Sequence, residues 1–172
     1  PDGVYMFNLF NPPSPLWREL GDTKTLQGLD AVYTTGARGL SGIEGRGFGL
    51  PGGERFLNRL AFCPERPLKL VAGRPATVDL RVGQPVAAEA SRGSEFAVTL
   101  RLRVQGLPDA EELSVKLNAH PLSPPIRQDA LLEYPVQPAI VAKGMNRFEL
   151  RLAPGSSATA TVEDLLLWVR YG

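Results

Sequence analysis

The amino-acid sequence predicts a mainly β chain: a two-sheet antiparallel β-sandwich that carries a short strand–helix extension at its N-terminus. Apolar and polar residues alternate strictly along several short segments after residue 55, a pattern typical of strands with one buried face. Turn formers are abundant, with 18 glycines and 16 prolines among 172 residues, which favours many short elements over long helices. Because no helical periodicity follows residue 60, that part of the chain is predicted to be β throughout, and an α/β fold is not expected there.

Residues 1–37 are predicted to form one strand, a rigid proline-rich loop and two short helices. The strand is the apolar run at residues 4–7. Ser14 is a preferred N-cap residue and Pro15 suits the first helical position, so the first helix is expected to begin there. A second short helix, capped by Asp22 or Thr23, is expected to carry Leu26 and Leu29. This segment is too small to fold alone.

The glycine-dense residues 38–54 are predicted to link this N-terminal remnant to a sandwich domain at residues 55–172. They contain the string GFGLPG at residues 47–52, a formal match to the dinucleotide-binding fingerprint. That fingerprint works only where a strand ends and a helix begins, so that the helix N-terminus faces the pyrophosphate. Since no strand precedes the string and its Pro-Gly-Gly end would break a helix, we predict no nucleotide site.

The predicted sandwich strands are identified by apolar residues that share one face. These inward sets are Val78, Leu80 and Val82; Phe96, Val98, Leu100, Leu102 and Val104; Leu113, Val115 and Leu117; Phe148, Leu150 and Leu152; and Leu165, Leu167, Val169 and Tyr171. Two stacked sheets would bury them together. On the outward faces, Asp79 and Glu149 stand among basic residues and are predicted to form cross-strand charge pairs.

Composition argues against several classes of function. A net charge of +1 provides no long-range field for nucleic acid. No apolar run reaches the roughly 18 residues that a membrane span needs. A single cysteine, Cys63, and a single histidine, His120, argue against a disulfide and against a Cys/His metal site. We expect Cys63 to be a small buried residue and His120 an exposed turn residue, and we predict no metal, no cofactor and no catalytic pair in this chain.

Three segments of the chain resemble galactose-binding-like, jelly-roll β-sandwiches. Residues 113–122 resemble their strand–turn–strand unit. Residues 134–150 are similar to their proline-rich strand followed by Lys-Gly-x-Asn and an alternating strand, and residues 162–171 resemble their closing strand. The resemblance implies a jelly-roll topology.

One residue departs from that pattern. Ala119 stands where the tight turn of the resembled unit usually has glycine. A type I′ turn needs positive φ at both central residues, which costs an alanine about 1 kcal/mol. The turn is therefore either of another type or strained.

The opening of the chain resembles a different fold. Residues 2–8 and 16–26 are similar to the last strand and last helix of bacterial glycoside-hydrolase-like TIM-barrel proteins, in which a β-sandwich follows the barrel. The resemblance implies that this chain is the C-terminal region of such a protein and that the missing barrel is its partner. The location of that parent, periplasmic or extracellular, stays open because no signal peptide opens this sequence. An unpaired N-terminal strand would also allow two copies to form a homodimer.

Outward aromatic and basic residues form the candidate ligand site. The candidate carbohydrate-binding residues are Trp168, Tyr134, Arg170, Arg101 and Arg103. Sugars stack on exposed aromatic rings, and neighbouring guanidinium groups can donate to hydroxyls or carboxylates. However, Leu166 shares the outward face with Trp168, which indicates a covered face.

Two function classes remain open on this basis. The first is a non-catalytic accessory domain that packs against a catalytic barrel. The second is a carbohydrate-binding module. The environment of Trp168 distinguishes them: an open groove favours sugar binding, and a covered ring favours packing.

Overall fold

The computed structural model describes residues 28–35, 62, 67–156 and 158–172. The predicted N-terminal strand and first helix, the glycine-rich linker and Cys63 lie outside these residues. Within them no helix is long and apolar enough to cross a membrane.

The described residues form ten strands, one short α-helix and two 3-10 turns. The strands are β1 (Ala31–Thr34), β2 (Leu68–Lys69), β3 (Ala76–Val82), β4 (Phe96–Gln105), β5 (Leu113–Leu117), β6 (His120–Pro121), β7 (Ile126–Gln128), β8 (Leu131–Val136), β9 (Gly144–Leu152) and β10 (Thr161–Tyr171). The helix α1 is Val86–Ser91, and the 3-10 turns are Ala110–Glu112 and Pro138–Ile140.

The strands form two antiparallel sheets, which confirms the predicted β-sandwich. The large sheet has six strands in the order β1-β10-β4-β8-β7, with β2 also paired to β10. The small sheet has four strands in the order β3-β9-β5-β6. Buried side chains from both sheets belong to one hydrophobic cluster, so the two inner faces share a single core.

The predicted inward sets supply most of this core. Every member is buried except Phe96 and Tyr171, which are partly buried and pack ring to ring at 5.2 Å between centroids. Fully burying one such aliphatic side chain contributes about 1.5–3 kcal/mol to folding. Alternation therefore identified the residues that stabilise the sandwich.

Strand β1 lies in a stretch of the chain where the sequence indicated no strand. It pairs with β10 in the register Val32↔Trp168, so the sandwich includes these four residues. Ala31 and Tyr33 pack against the core, and Val32 lies on the outer face beside Trp168. The sheet partner, rather than local pattern, stabilises this short strand.

The helix α1 spans Val86–Ser91, in a part of the chain that the sequence predicted to be β throughout. Only Val86 is buried in this helix, where it is fully covered. Six residues with one apolar anchor show no measurable periodicity, so the sequence does not indicate the helix.

The turn between β5 and β6 has positive φ at both central residues, 49° at Asn118 and 70° at Ala119. Leu117 pairs with His120 across it, so it is a two-residue hairpin turn of the I′ kind. Of the two alternatives that the sequence left open, the strained turn is therefore the one found.

Candidate functional site

Four of the five candidate residues lie on one surface, the outer face of the large sheet. Strand β10 turns Leu165, Leu167 and Val169 to the core, so the residues between them point outward. The register then places the outward residues of β10 beside those of β4 and β1. We call this surface the Trp168 face and define it by Val32, Arg101, Arg103, Leu166, Trp168 and Arg170.

The indole ring of Trp168 contacts two guanidinium groups of its own sheet. Arg101 Cζ lies 4.3 Å from the ring centroid, and Arg170 Cζ lies 4.7 Å from it. Both distances are within the range of a cation–π interaction, worth about 0.5–1 kcal/mol at an exposed site. The π surface that a sugar would use is therefore already engaged by side chains of this chain.

The indole N–H of Trp168 is shielded from water. Its Nε1 atom is buried and makes no hydrogen bond among the residues that the structure describes. A desolvated donor without a partner costs about 1–3 kcal/mol. The neighbouring Leu166 is only 7% exposed although it points to the outer face. The middle of the Trp168 face is thus largely shielded from water.

The three arginines of this face differ in their partners. Arg101 Nε lies 2.7 Å from Glu133 Oε1, an ion pair by distance although the geometry is not that of an aligned hydrogen bond. Arg103 and Arg170 are exposed, and neither forms an ion pair with any carboxylate in the described part of the chain. Arg170 borders the ring, whereas Arg103 lies opposite Asp164 in the register of β4 and β10.

Tyr134, the fifth candidate residue, lies in the core and not on the Trp168 face. Its side chain is 1% exposed, and its hydroxyl lies 3.5 Å from the Leu113 carbonyl oxygen. Burial raises the pKa of the Tyr134 phenol well above its usual value. The ring has no open face for a ligand, so this expectation is corrected. Alternation with Leu132 and Val136 along β8 is the sequence signal that could have placed it inward.

The predicted cross-strand charge pairs are confirmed on the outer face of the small sheet. Arg147 Nε and Nη2 donate to the two carboxylate oxygens of Asp79 at 2.8 and 3.0 Å. These hydrogen bonds hold the pKa of Asp79 below its usual value. Lys116 Nζ lies 3.3 Å from Glu149 Oε1. These carboxylates therefore stabilise the pairing of strands.

The described residues contain no candidate metal site, because no group of three or more His, Cys, Asp and Glu side chains among them could hold an ion. His120 is exposed in β6, as expected. An open depression of about 590 Å³ lies at the end of β4 and is lined in part by Arg127. Arg127 already donates to the carbonyl oxygens of Leu107, Pro108 and Asp129 at 2.7–3.0 Å, so its guanidinium is occupied by the backbone.

A polar cluster at one end of the sandwich was not indicated by the sequence. Tyr33 Oη donates to Gln84 Oε1 at 2.9 Å, and Tyr171 Oη donates to Glu89 Oε2. Desolvation raises the pKa of both tyrosines, and the nearby Glu89 carboxylate adds to the effect. Because the sequence predicts neither β1 nor α1, no sequence pattern indicates that these residues lie close together. They tie the helix to the end of the large sheet.

Comparison with known proteins gives a likeness of fold only. No family model and no curated protein matches the chain. Among solved structures, the chain is similar to a β-porphyranase of glycoside hydrolase family 86 from the human gut bacterium Bacteroides plebeius, with a TM-score of 0.47 and 16% identity over 62% of this chain and 19% of that one. It is similar also to BuGH86, solved in complex with neoagarooctaose, with a TM-score of 0.46 and 14% identity over 60% of this chain. The chain spans less than a fifth of either protein, at 19% and 17% of their lengths.

Proposed function

We propose that the chain is a non-catalytic accessory β-sandwich domain of a glycoside hydrolase and that it packs against the catalytic unit of that enzyme through the Trp168 face. The observation that carries the proposal is the state of Trp168. Its ring is engaged by Arg101 and Arg170, and its N–H is buried without an acceptor among the residues that the structure describes. A ring in this state suits a packed interface better than a sugar platform.

The geometry around the ring supports this preference. A sugar that stacked on Trp168 would have to displace a guanidinium group from the ring. Arg101 is also tied to Glu133 at 2.7 Å, so moving it would disturb an ion pair as well. An interface that leaves the ring in place meets neither obstacle.

The carboxylates support a non-catalytic role. Glycoside hydrolysis uses two carboxyl groups about 5–10 Å apart across the scissile bond. In the described part of the chain, Asp79, Glu149 and Glu133 pair with basic residues of adjacent strands. The carboxylates of Asp109 and Asp30 accept backbone N–H groups. These five side chains are accounted for by the stability of the fold.

A carbohydrate-binding module is the second candidate. It is favoured by the exposure of Arg103 and Arg170, which have no ion-pair partner among the described residues, and by the position of Arg170 beside the indole ring. Guanidinium groups can donate to hydroxyl or carboxylate oxygens of a glycan.

Affinity electrophoresis separates the two proposals. The chain and its Trp168→Ala variant are run through gels that contain neutral or acidic polysaccharides. The accessory-domain proposal predicts that no polysaccharide retards the wild-type chain in a Trp168-dependent way. Retardation that disappears in Trp168→Ala would contradict it and establish the binding module.

A second measurement uses the full-length enzyme that carries this domain. We expect Trp168→Ala to lower its thermal stability and to leave the KM for its substrate unchanged, because the ring stabilises a contact between domains and does not touch substrate. A raised KM at unchanged stability would contradict the packing role.

A further inference from the structure

We propose that two copies of this chain associate through strand β3, pairing their β3 strands antiparallel about Leu80 and joining their small sheets into one continuous sheet. We call the side of β3 that faces away from β9 the β3 edge. The inference goes beyond the proposed function and is independent of it, because β3 belongs to the small sheet and the Trp168 face to the large sheet.

Strand β3 is a long and regular edge strand. It has seven residues, ATVDLRV, and no described strand pairs with it on the side away from β9. Its pairing with β9 runs from Ala76 to Val82 without a bulge, and no proline lies within it. Short strands, bulges and prolines are the usual devices that keep a sheet edge from pairing with another chain. The β3 edge has none of these three.

The other edge strands of the described sandwich are shorter. Strand β1 has four residues, β7 has three, and β2 and β6 have two each. Pro121 lies within β6, and Pro124 and Pro125 directly precede β7. Among these edges, β3 therefore offers the longest backbone for an additional strand.

The backbone of β3 points hydrogen-bonding groups to the β3 edge. Arg147, which lies opposite Asp79, bonds in the other direction: its N–H donates to Asn118 Oδ1 at 2.9 Å, and its carbonyl accepts the Asn118 N–H at 2.8 Å. Asn118 directly follows β5, which lies on the far side of β9 from β3. Asp79 and Arg147 are therefore a non-hydrogen-bonded pair, so the N–H and carbonyl of Asp79 point away from β9. By the alternation of an antiparallel ladder, the same holds for Thr77 and Arg81.

Charge selects the register between the two copies. Pairing about Asp79 or about Arg81 would set like charges directly opposite each other, which is destabilising. Pairing about Val78 would place Pro75, which has no N–H to donate, opposite Arg81. Pairing about Leu80 places Asp79 of each copy opposite Arg81 of the other, on the exposed outer face. Since both residues point their backbone groups to the β3 edge, each such pair joins opposite charges and exchanges both of its N–H···O bonds.

The side chains at this position are complementary to a second copy. Arg81 is exposed and forms no ion pair with any carboxylate among the described residues. Asp79 is bound from the β9 side by Arg147, and its side chain remains 43% exposed. In the paired copies the Asp79 carboxylate would lie between its own Arg147 and the Arg81 of the other copy. On the inner face, Leu80 of one copy lies opposite Leu80 of the other, so the apolar face continues across the contact.

Size-exclusion chromatography with light scattering measures this association. We expect the mass to rise with concentration from that of one chain, 18.6 kDa, toward twice that value between about 10 µM and about 1 mM. Arg81→Glu should weaken the dimer about tenfold, because it sets like charges opposite each other at both symmetric positions. The matched control Arg151→Glu makes the same change of charge at an exposed position of β9, away from the contact, and should alter the dissociation constant less than about twofold.

A mixture of two variants tests the register. Arg81→Glu alone and Asp79→Arg alone each set like charges opposite each other, whereas in the mixed dimer every introduced charge lies opposite a charge of the other sign. We therefore expect the mixture to form dimers at concentrations where each variant alone is monomeric. Asp79→Arg also removes the pair with Arg147, which is exposed and contributes little to folding, and circular dichroism of each variant checks that the fold is kept.

Amide hydrogen exchange locates the contact. We expect the amides of Asp79 and Arg81 to become protected as the concentration rises, because they donate across the contact. The amides of Val78 and Leu80 should change little, because they already face β9.

Four results would overturn the inference. A chain that keeps the mass of one copy up to about 1 mM does not associate through this edge. Equal weakening by Arg81→Glu and Arg151→Glu would show a general effect of charge. A mixture of Arg81→Glu and Asp79→Arg that stays monomeric would exclude the register about Leu80. A dimer in which the Asp79 and Arg81 amides stay unprotected would place the contact elsewhere on the chain.

Discussion

Asn118 Nδ2 donates to Asn146 Oδ1 at 2.8 Å and thereby joins the tight turn after β5 to the start of β9. Asn146 is fully buried, and its side chain also bonds the N–H and carbonyl of Ala142 and the carbonyl of Gly144 at 2.8–3.1 Å. Asn118 donates further to the Ile140 carbonyl at 2.8 Å. One pair of asparagines therefore fixes a hairpin and a loop of the small sheet together.

Asn146→Ala is expected to lower the free energy of unfolding by about 3 kcal/mol. It would leave several buried backbone groups and the Asn118 amide without partners, and each such loss costs about 1–3 kcal/mol when desolvated. Urea denaturation followed by circular dichroism measures the change. The neighbouring Met145, 60% exposed, provides the control Met145→Ala, for which we expect less than about 0.5 kcal/mol. Similar losses in the two variants would contradict the structural role of Asn146.

Ala119→Gly is expected to stabilise the chain by about 1 kcal/mol. At a φ of 70° the methyl group of Ala119 is strained, and glycine removes that strain. The control is Ala97→Gly at an exposed site of strand β4, where glycine should instead destabilise by about 0.5–1 kcal/mol. Changes of opposite sign in the free energy of unfolding, measured by chemical denaturation, would confirm that the turn is strained at Ala119. Destabilisation by both changes would mean that the turn is not strained.

Gly106→Ala is expected to destabilise the chain by several kcal/mol more than Gly73→Ala. The two glycines have nearly the same φ, 70° and 73°. A Cβ at Gly106 would overlap the backbone carbonyl oxygen of Thr159, whereas a Cβ at Gly73 meets nothing within 4 Å. Backbone strain alone costs about 1–2 kcal/mol, so the difference between the two variants isolates the steric overlap. Equal melting temperatures of the two variants would be inconsistent with the close approach of Thr159.

The buried phenol of Tyr134 predicts a loss of stability at alkaline pH. Desolvation raises its pKa above its usual value of about 10 in the folded chain, so above that pH the folded chain keeps a proton that the unfolded chain releases. Stability should therefore be unaffected by this group below about pH 10 and should fall as pH rises beyond it.

Urea denaturation between about pH 8 and pH 11.5 measures this effect. Tyr134→Phe cannot ionise, so its stability should fall less steeply over the alkaline part of the range than that of the wild-type chain. A variant whose alkaline slope matches the wild type would show that Tyr134 does not carry the effect.

Period-two alternation explains why most of the sandwich follows from the sequence. A strand has side chains on alternating faces, so the apolar run from Val98 to Val104 in β4 indicates both the strand and its buried face. By the same parity Trp168 is predicted to point outward, as it does. Parity does not determine the register between β4 and β10, and the contact of Arg101 with Trp168 depends on that register.

Short elements and a proline limited how much of the remaining structure could be predicted from the sequence. Four residues in β1 and six in α1 are too few for a period to be visible, and each is held by a tertiary contact. In β8, Pro135 is typical of a strand edge, which hides the inward parity of Tyr134. In the structure β7 pairs with β8 only as far as Glu133, so the missing N–H of Pro135 leaves no gap in that pairing.

Fluorescence of Trp168 reports directly whether a sugar can reach the indole ring. The sequence has two tryptophans, so Trp17→Phe leaves Trp168 as the only indole reporter. Neutral and acidic oligosaccharides are titrated against this variant up to about 10 mM, which detects dissociation constants in the millimolar range. We expect unchanged emission, because Arg101 and Arg170 already contact the ring. A saturable change in emission that Arg170→Gln alters would show that a sugar reaches the ring and would contradict the assignment of this face to protein packing.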